Sequence, residues 1–121
     1  MLGSVFFILI EAAILEWYTK RKDDGLMKIE WDPKKNEVNI RKHGVDFDEA
    51  ETVFEDERAV TIYDEKHSDE EDRFKIIGIS WKLRELTVCH CFRNGDEVTR
   101  IISARRATKS ESKLYERGLA Q

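Results

Sequence analysis

Three histidines, two closely spaced cysteines and a set of late arginines are the residues of this 121-residue chain best equipped for chemistry. Imidazole titrates near neutrality, so His43, His67 and His90 are the candidates for moving a proton. Arginine presents a planar fork of donors that fits a phosphate or carboxylate through two parallel hydrogen bonds. Arg73, Arg105 and Arg106 stand where strands are expected to begin or end, and Lys42 and Lys75 add point charges. This combination suits proton transfer at a centre where negative charge is held. Plainer readings stand beside it. His43 falls at an expected helix C-terminus, where it complements the dipole. His67 lies in an acidic turn, and His90 has the strand parity of core residues. Arg73 has Glu71 and Asp72 as nearby salt-bridge partners, and Arg105 has the acidic first half of the chain.

Cys89-His90-Cys91 contains ligand-type residues, yet structural zinc takes four ligands at wider spacings. In a strand the two cysteines share a face with parallel side chains, which disfavours a disulfide. Free thiols packed in a strand, in a reducing cytoplasm, are therefore expected, with no metal and no cofactor.

The elements that must position these residues follow from periodicity and punctuation. Lys28–Trp31 alternates as a short strand. Asp32-Pro33 supplies an N-cap and a first-turn proline for a helix from Pro33 to about Lys42, with Val38 and Ile40 inward and Gly44 as its stop. Asp46 caps a second helix, with Glu49 placed as in a capping box, and Phe47, Ala50, Val53 and Phe54 mark its apolar face. Ala59–Tyr63 reads as a strand and 64–72 as a charged loop. Strands follow at Arg73–Ser80, Leu86–Phe92 and Val98–Ala104, the last two joined by an Asn94-Gly95 hairpin signal. Thr108 and Glu111 form a capping box for a final helix that runs to Arg117, with Gly118 as its stop. The order β-α-α-β-β-β-β-α, with closely spaced strands, predicts an α+β domain over 27–121: a small antiparallel sheet, two N-terminal helices and one C-terminal helix.

Residues 27–72 carry seven Lys/Arg against sixteen Asp/Glu, whereas 73–121 carry eleven against five. This asymmetry points to a polyanion or a charged partner, or else to an interleaved solvated surface. Residues 1–26 hold the most apolar stretch, Ser4 to Leu15. It is too short to span a bilayer and lacks the basic n-region and cleavage site of a signal peptide. The segment reads as an extension, helical or arising from a mis-assigned start, outside the domain that opens at Met27.

Trp31-Asp32-Pro33, then Asn39-Ile-Arg-Lys-His-Gly-Val45 with Phe47 and Ala50, resembles the opening signature of the BrnT family (DUF497). His67-Ser68, Arg73-Phe74 and Ile77-Gly78 resemble its middle. Arg100-Ile-Ile-Ser-Ala-Arg-Arg-Ala107, with Glu111 and Tyr115, resembles its end. The resemblance implies a RelE-like toxin of a type II toxin–antitoxin system: a cytoplasmic endoribonuclease that inhibits translation. It further implies neutralisation by a DNA-binding antitoxin of the BrnA type, through which alone the toxin reaches operator DNA.

Metal-free RNA cleavage needs a base for the 2′-OH, cations for the phosphate and an acid for the leaving oxygen. His43, Arg73 and Arg105 are the catalytic candidates, with Lys42, Lys75 and Arg106 as RNA contacts. Parity favours Arg105 over Arg106, because Arg105 alternates with Ser103, Ile101 and Thr99, and Arg106 with Arg100. Trp31 has two readings, as a base-stacking platform or as core beside an N-cap. The competing functions are a catalytically degenerate binding module that only holds the antitoxin on operator DNA, and a stand-alone DNA-binding protein. The acidic N-terminal helices disfavour the latter.

Overall fold

The computed structural model describes residues 27–120, so expectations about 1–26 lie outside the described residues. Strand β1 (Lys28–Glu30) leads to helix α1 (Pro33–His43), helix α2 (Phe47–Glu51) and a 3-10 turn at Thr52–Glu55. Strand β2 (Val60–Tyr63), a second 3-10 turn (Glu65–His67), β3 (Arg73–Ile79), β4 (Glu85–Arg93), β5 (Val98–Arg106) and helix α3 (Lys109–Ala120) follow. The strands form one sheet in the order β1-β5-β4-β3-β2.

The fold is α+β as expected, but the sheet is mixed. The pairs β2–β3, β3–β4 and β4–β5 are antiparallel, whereas β1 runs parallel to β5 over three residues. Close spacing dictates antiparallel pairing only for neighbours in sequence. Between β1 and β5 lies enough chain for the crossover that a parallel pair requires.

Helix α1 begins and ends as its sequence dictates. The Asp32 carboxylate accepts from Lys34 N–H at 2.9 Å. Gly44 takes φ 69°, and its N–H reaches the Ile40 carbonyl at 2.8 Å. The inward face is not the expected one. Val38 and Ile40 are 50% and 40% exposed, while Asn39 between them is buried. The reason lies in the sheet. β1 pairs only with Val98, Thr99 and Arg100, so β5 beyond Arg100 needs another hydrogen-bonding partner. Asn39 provides it, donating to the Ala104 carbonyl at 2.8 Å and accepting from the Ala104 N–H at 3.1 Å. A buried amide thus completes the edge where the strand partner stops.

Phe47, Ala50 and Val53 from the second helical segment pack with Val45, Ile76, Leu86, Val88, Ile101 and Ala104 into one core, flanked by Ile29, Trp31, Phe54 and Ala59. Trp31 meets Phe47 edge-on, which is the packing reading of that residue. Glu49 does not complete a capping box. It is buried and receives Arg84 through two nitrogens and the Ser80 hydroxyl, tying α2 to the β3–β4 turn. Helix α3 begins at the expected box, with Thr108 N–H on Glu111 at 2.9 Å and Glu111 N–H on the Thr108 hydroxyl at 3.2 Å. It passes through Gly118 instead of stopping there, and a Cβ at Gly118 would sit 3.1 Å from the Val60 side chain. That glycine serves a close helix–sheet approach.

Candidate nucleic-acid interface

Directly paired residues of an antiparallel ladder share a face of the sheet. Arg73 pairs with Cys91, Lys75 with Cys89, Thr87 with Arg105 and Cys89 with Ser103. Arg73, Lys75 and Arg105 therefore project from one face. The core helices cover the other, where Phe74, Ile76, Leu86 and Val88 point.

A β-bulge adds a further cation. Cys89 pairs with Ser103 but His90 pairs with Ile101, so Ile102 has no partner in the ladder. The extra residue inverts parity along the first half of β5. Ile101 turns into the core, and Arg100, opposite Cys91, joins the face of Arg105. Simple alternation alone places Arg100 with Arg106. Arg93, two residues beyond Cys91, lies on the same side, which leaves five cations on one sheet face.

Each cation is held by a carboxylate. Glu111 receives both terminal nitrogens of Arg105, at 2.7 and 2.9 Å, together with the Thr87 hydroxyl at 2.8 Å, and Lys75 Nζ lies 3.7 Å away. Burial pushes the Glu111 carboxyl upward, but the bonds from Arg105, the Thr108 N–H and Thr87 outweigh it and hold it down at about 2. Glu71 bridges Arg93 and Arg73, and Arg93 beside it is the main cause that lowers its carboxyl. Glu30 on β1 pairs with Arg100 at 2.8 Å. Arg73 is the least engaged arginine of the set. Its bond to Glu71 is long, at 3.4 Å, and its buried Nε has no hydrogen-bond partner among the described residues.

The other candidates scatter. Arg106 pairs with Leu86, so its side chain leaves the sheet on the opposite face from Arg105. His43 and Lys42 end α1, and the Gly44 carbonyl accepts from Arg84 at the β3–β4 turn. Arg73 opens β3 at its far end, about 20 Å away at the rise of a strand, so His43 is not brought beside it. The turn that ends in His67 is bonded to the backbone of Arg73 through Asp64 and Ser68, and the His67 Nδ1 lies 3.0 Å from the Asp64 carboxylate. His90 is buried among Phe54, Phe74 and Phe92, and burial lowers its pKa, with a partial offset from the Val88 carbonyl. It faces away from Cys89 and Cys91, so the three cannot converge on a metal. Both thiols are free, and burial pushes that of Cys91 up.

Sequence reading missed Arg93, Arg100 and the second task of Glu111. The bulge left no residue signature, and the capping box explained Glu111 so fully that its grip on Arg105 had no separate signal.

A family model described as the ribonuclease toxin BrnT of type II toxin–antitoxin systems matches residues 31–111, well over half of the chain. The chain belongs to the BrnT family. Among solved structures it is similar to the 1.1 Å crystal structure of the Brucella abortus ribonuclease toxin BrnT. The two are 32% identical, with a TM-score of 0.53, and the match covers 69% of this chain and 99% of that one. No curated protein matches the sequence. The BrnT architecture fits the RelE-like description only approximately. Membership in a toxin–antitoxin family implies an antitoxin as partner. No helix among the described residues is long and apolar enough to cross a membrane.

Proposed function

We propose that this BrnT-family toxin is a metal-independent endoribonuclease that blocks translation in the cytoplasm. The observation that carries this reading is the gathering of Arg73, Lys75, Arg100 and Arg105, from distant parts of the sequence, on one sheet face. Fixed cations stabilise the charge that builds on a phosphodiester during attack by the 2′-OH, often the largest single contribution to such a rate. Arg73, with unused donor capacity, and Arg105, held rigid by Glu111, grip the scissile phosphate. Lys75 and Arg100 follow the neighbouring backbone. Lys42 and His43 at the far end of α1, and Arg106 on the other face, take no part in holding that phosphate. The partner is a DNA-binding antitoxin of the BrnA type, and operator DNA is reached only through it.

The test is incubation of the purified protein with single-stranded RNA, and separately with translating ribosomes, in the presence of a chelator. Cleavage is expected in one of these settings, and Arg105→Ala is expected to lower its rate by roughly 10²–10³-fold. Intact RNA in both settings rejects the reading.

One observation favours a second reading. Carboxylates neutralise the arginines of this face, with Glu111 on Arg105 through two bonds. If RNA cannot displace them, the domain is a degenerate toxin that only holds its antitoxin on operator DNA. An inactive protein that still binds the antitoxin distinguishes this case.

A further inference from the structure

The loop between β2 and β3 carries an acid–base arrangement. His67 closes the Glu65–His67 turn, with its Nδ1 3.0 Å from Asp64 Oδ2. The pair differs sharply in exposure: the Asp64 side chain is 5% exposed and the imidazole 57%. The carboxylate therefore holds one ring nitrogen from within, leaving the other turned toward solvent.

Two bonds fix this turn to the first residue of β3, and a third closes the turn on itself. The Asp64 N–H donates to the Arg73 carbonyl at 2.8 Å, and the Arg73 N–H donates to the Ser68 hydroxyl oxygen at 2.9 Å. The Ser68 hydroxyl in turn donates to the Asp64 carbonyl at 2.6 Å. Asp64 follows Tyr63, whose ring packs on Phe74 on the side of the sheet that faces the α2 core. Strand alternation sends the next side chain to the opposite face, where the Asp64 charge is close enough to be felt by Arg105. The dyad thus borders the face that carries Arg73 and Arg105.

We propose that His67, oriented by Asp64, is the general base of RNA cleavage, an inference that rests on the ribonuclease reading above. The Asp64 carboxylate, 3.0 Å from Nδ1, fixes the tautomer with hydrogen on Nδ1 and the lone pair on Nε2. Nε2 takes the proton of the 2′-OH as O2′ bonds to phosphorus. The bond from phosphorus to O5′ breaks, and the departing oxygen takes a proton from water. The products are a 2′,3′-cyclic phosphate and a 5′-hydroxyl end, with no change in oxidation state. Asp64 acts as a positioning residue.

The backbone bonds of the turn, including His67 N–H to the Asp64 carbonyl at 3.2 Å, do not involve the ring, so its removal is compatible with folding. The experiment uses the full chain in whichever setting, free RNA or ribosome, supports cleavage. His67→Ala is expected to lower the single-turnover rate by about 10²–10⁴-fold. Affinity for a 2′-O-methyl RNA oligonucleotide stays unchanged, and added imidazole restores part of the rate. Asp64→Asn lowers the rate with affinity preserved. Full activity in His67→Ala, when Arg105→Ala is inactive, overturns the base assignment and leaves the ribonuclease reading intact. A loss that imidazole does not restore, accompanied by weakened binding, assigns His67 a structural role. Failure of the wild-type protein to cleave in either setting removes both.

Discussion

Glu111 shows how much one side chain can join. It caps α3, accepts from Thr87 on β4 and holds Arg105 on β5 through two bonds. With its side chain 8% exposed, its charge is tolerated only because these donors surround it. The consequence for stability has a definite sign. The folded-state pKa, about 2, lies below the ordinary value of 4.5. The stabilisation is therefore complete above pH 4.5 and is lost as pH falls toward 2. At about 1.4 kcal/mol per unit of pKa, the loss is roughly 3 kcal/mol. Urea denaturation across this interval is expected to show that decline in the wild type and a flatter profile in Glu111→Gln. Equal acid sensitivity in the two proteins would show that Glu111 is not a principal acid-labile contact.

At the scale of elements, the helix–sheet junction turns on Asn39. Its amide takes the place of a missing strand for Ala104 and also donates to the Val45 carbonyl at 2.9 Å. Asn39→Ala leaves a buried N–H and two buried carbonyls short of partners, at about 1–3 kcal/mol for each fully unsatisfied group. A total loss of about 2–4 kcal/mol is expected in chemical denaturation, whereas Val38→Ala on the exposed side of the same helix is expected to cost little. Caps and turns were legible in the sequence because they are local. Asp32, Gly44, Asp46, Asn94-Gly95 and the Thr108–Glu111 box all act within a few residues of themselves, and the structure uses each. The inward face of α1 was not legible. An apolar pattern says nothing of a strand edge that needs an amide.

For the whole molecule, the uneven charge distribution acquires a spatial meaning. Carboxylates from the acidic first part of the chain meet arginines from the basic second part, as Glu30 meets Arg100, Glu71 meets Arg73 and Arg93, and Glu49 meets Arg84. The sheet face is thus a set of positive groups held in place, and the net charge of −4 is a poor guide to its potential. If RNA lies across it, affinity for a non-cleavable single strand falls with salt, and each phosphate contact removed lowers the log–log slope by about 0.7. Arg100→Ala and Arg105→Ala are each expected to reduce the slope by that amount, whereas Arg106→Ala on the opposite face leaves it unchanged. A matching change in Arg106→Ala would mean that RNA does not distinguish the two faces.

The sequence by itself determined the element types, most of their boundaries, the α+β class and, through an ordered set of motifs, the family. These properties depend on short-range propensity and spacing. Tertiary structure decided which cations share a surface, because one unpaired residue at Ile102 inverts the alternation of half a strand. It also decided that β1 lies parallel to β5 and that the turn carrying His67, not the helix end carrying His43, is bonded to Arg73. Such outcomes depend on register and chain crossing, where residues far apart in sequence are placed by packing they do not themselves encode.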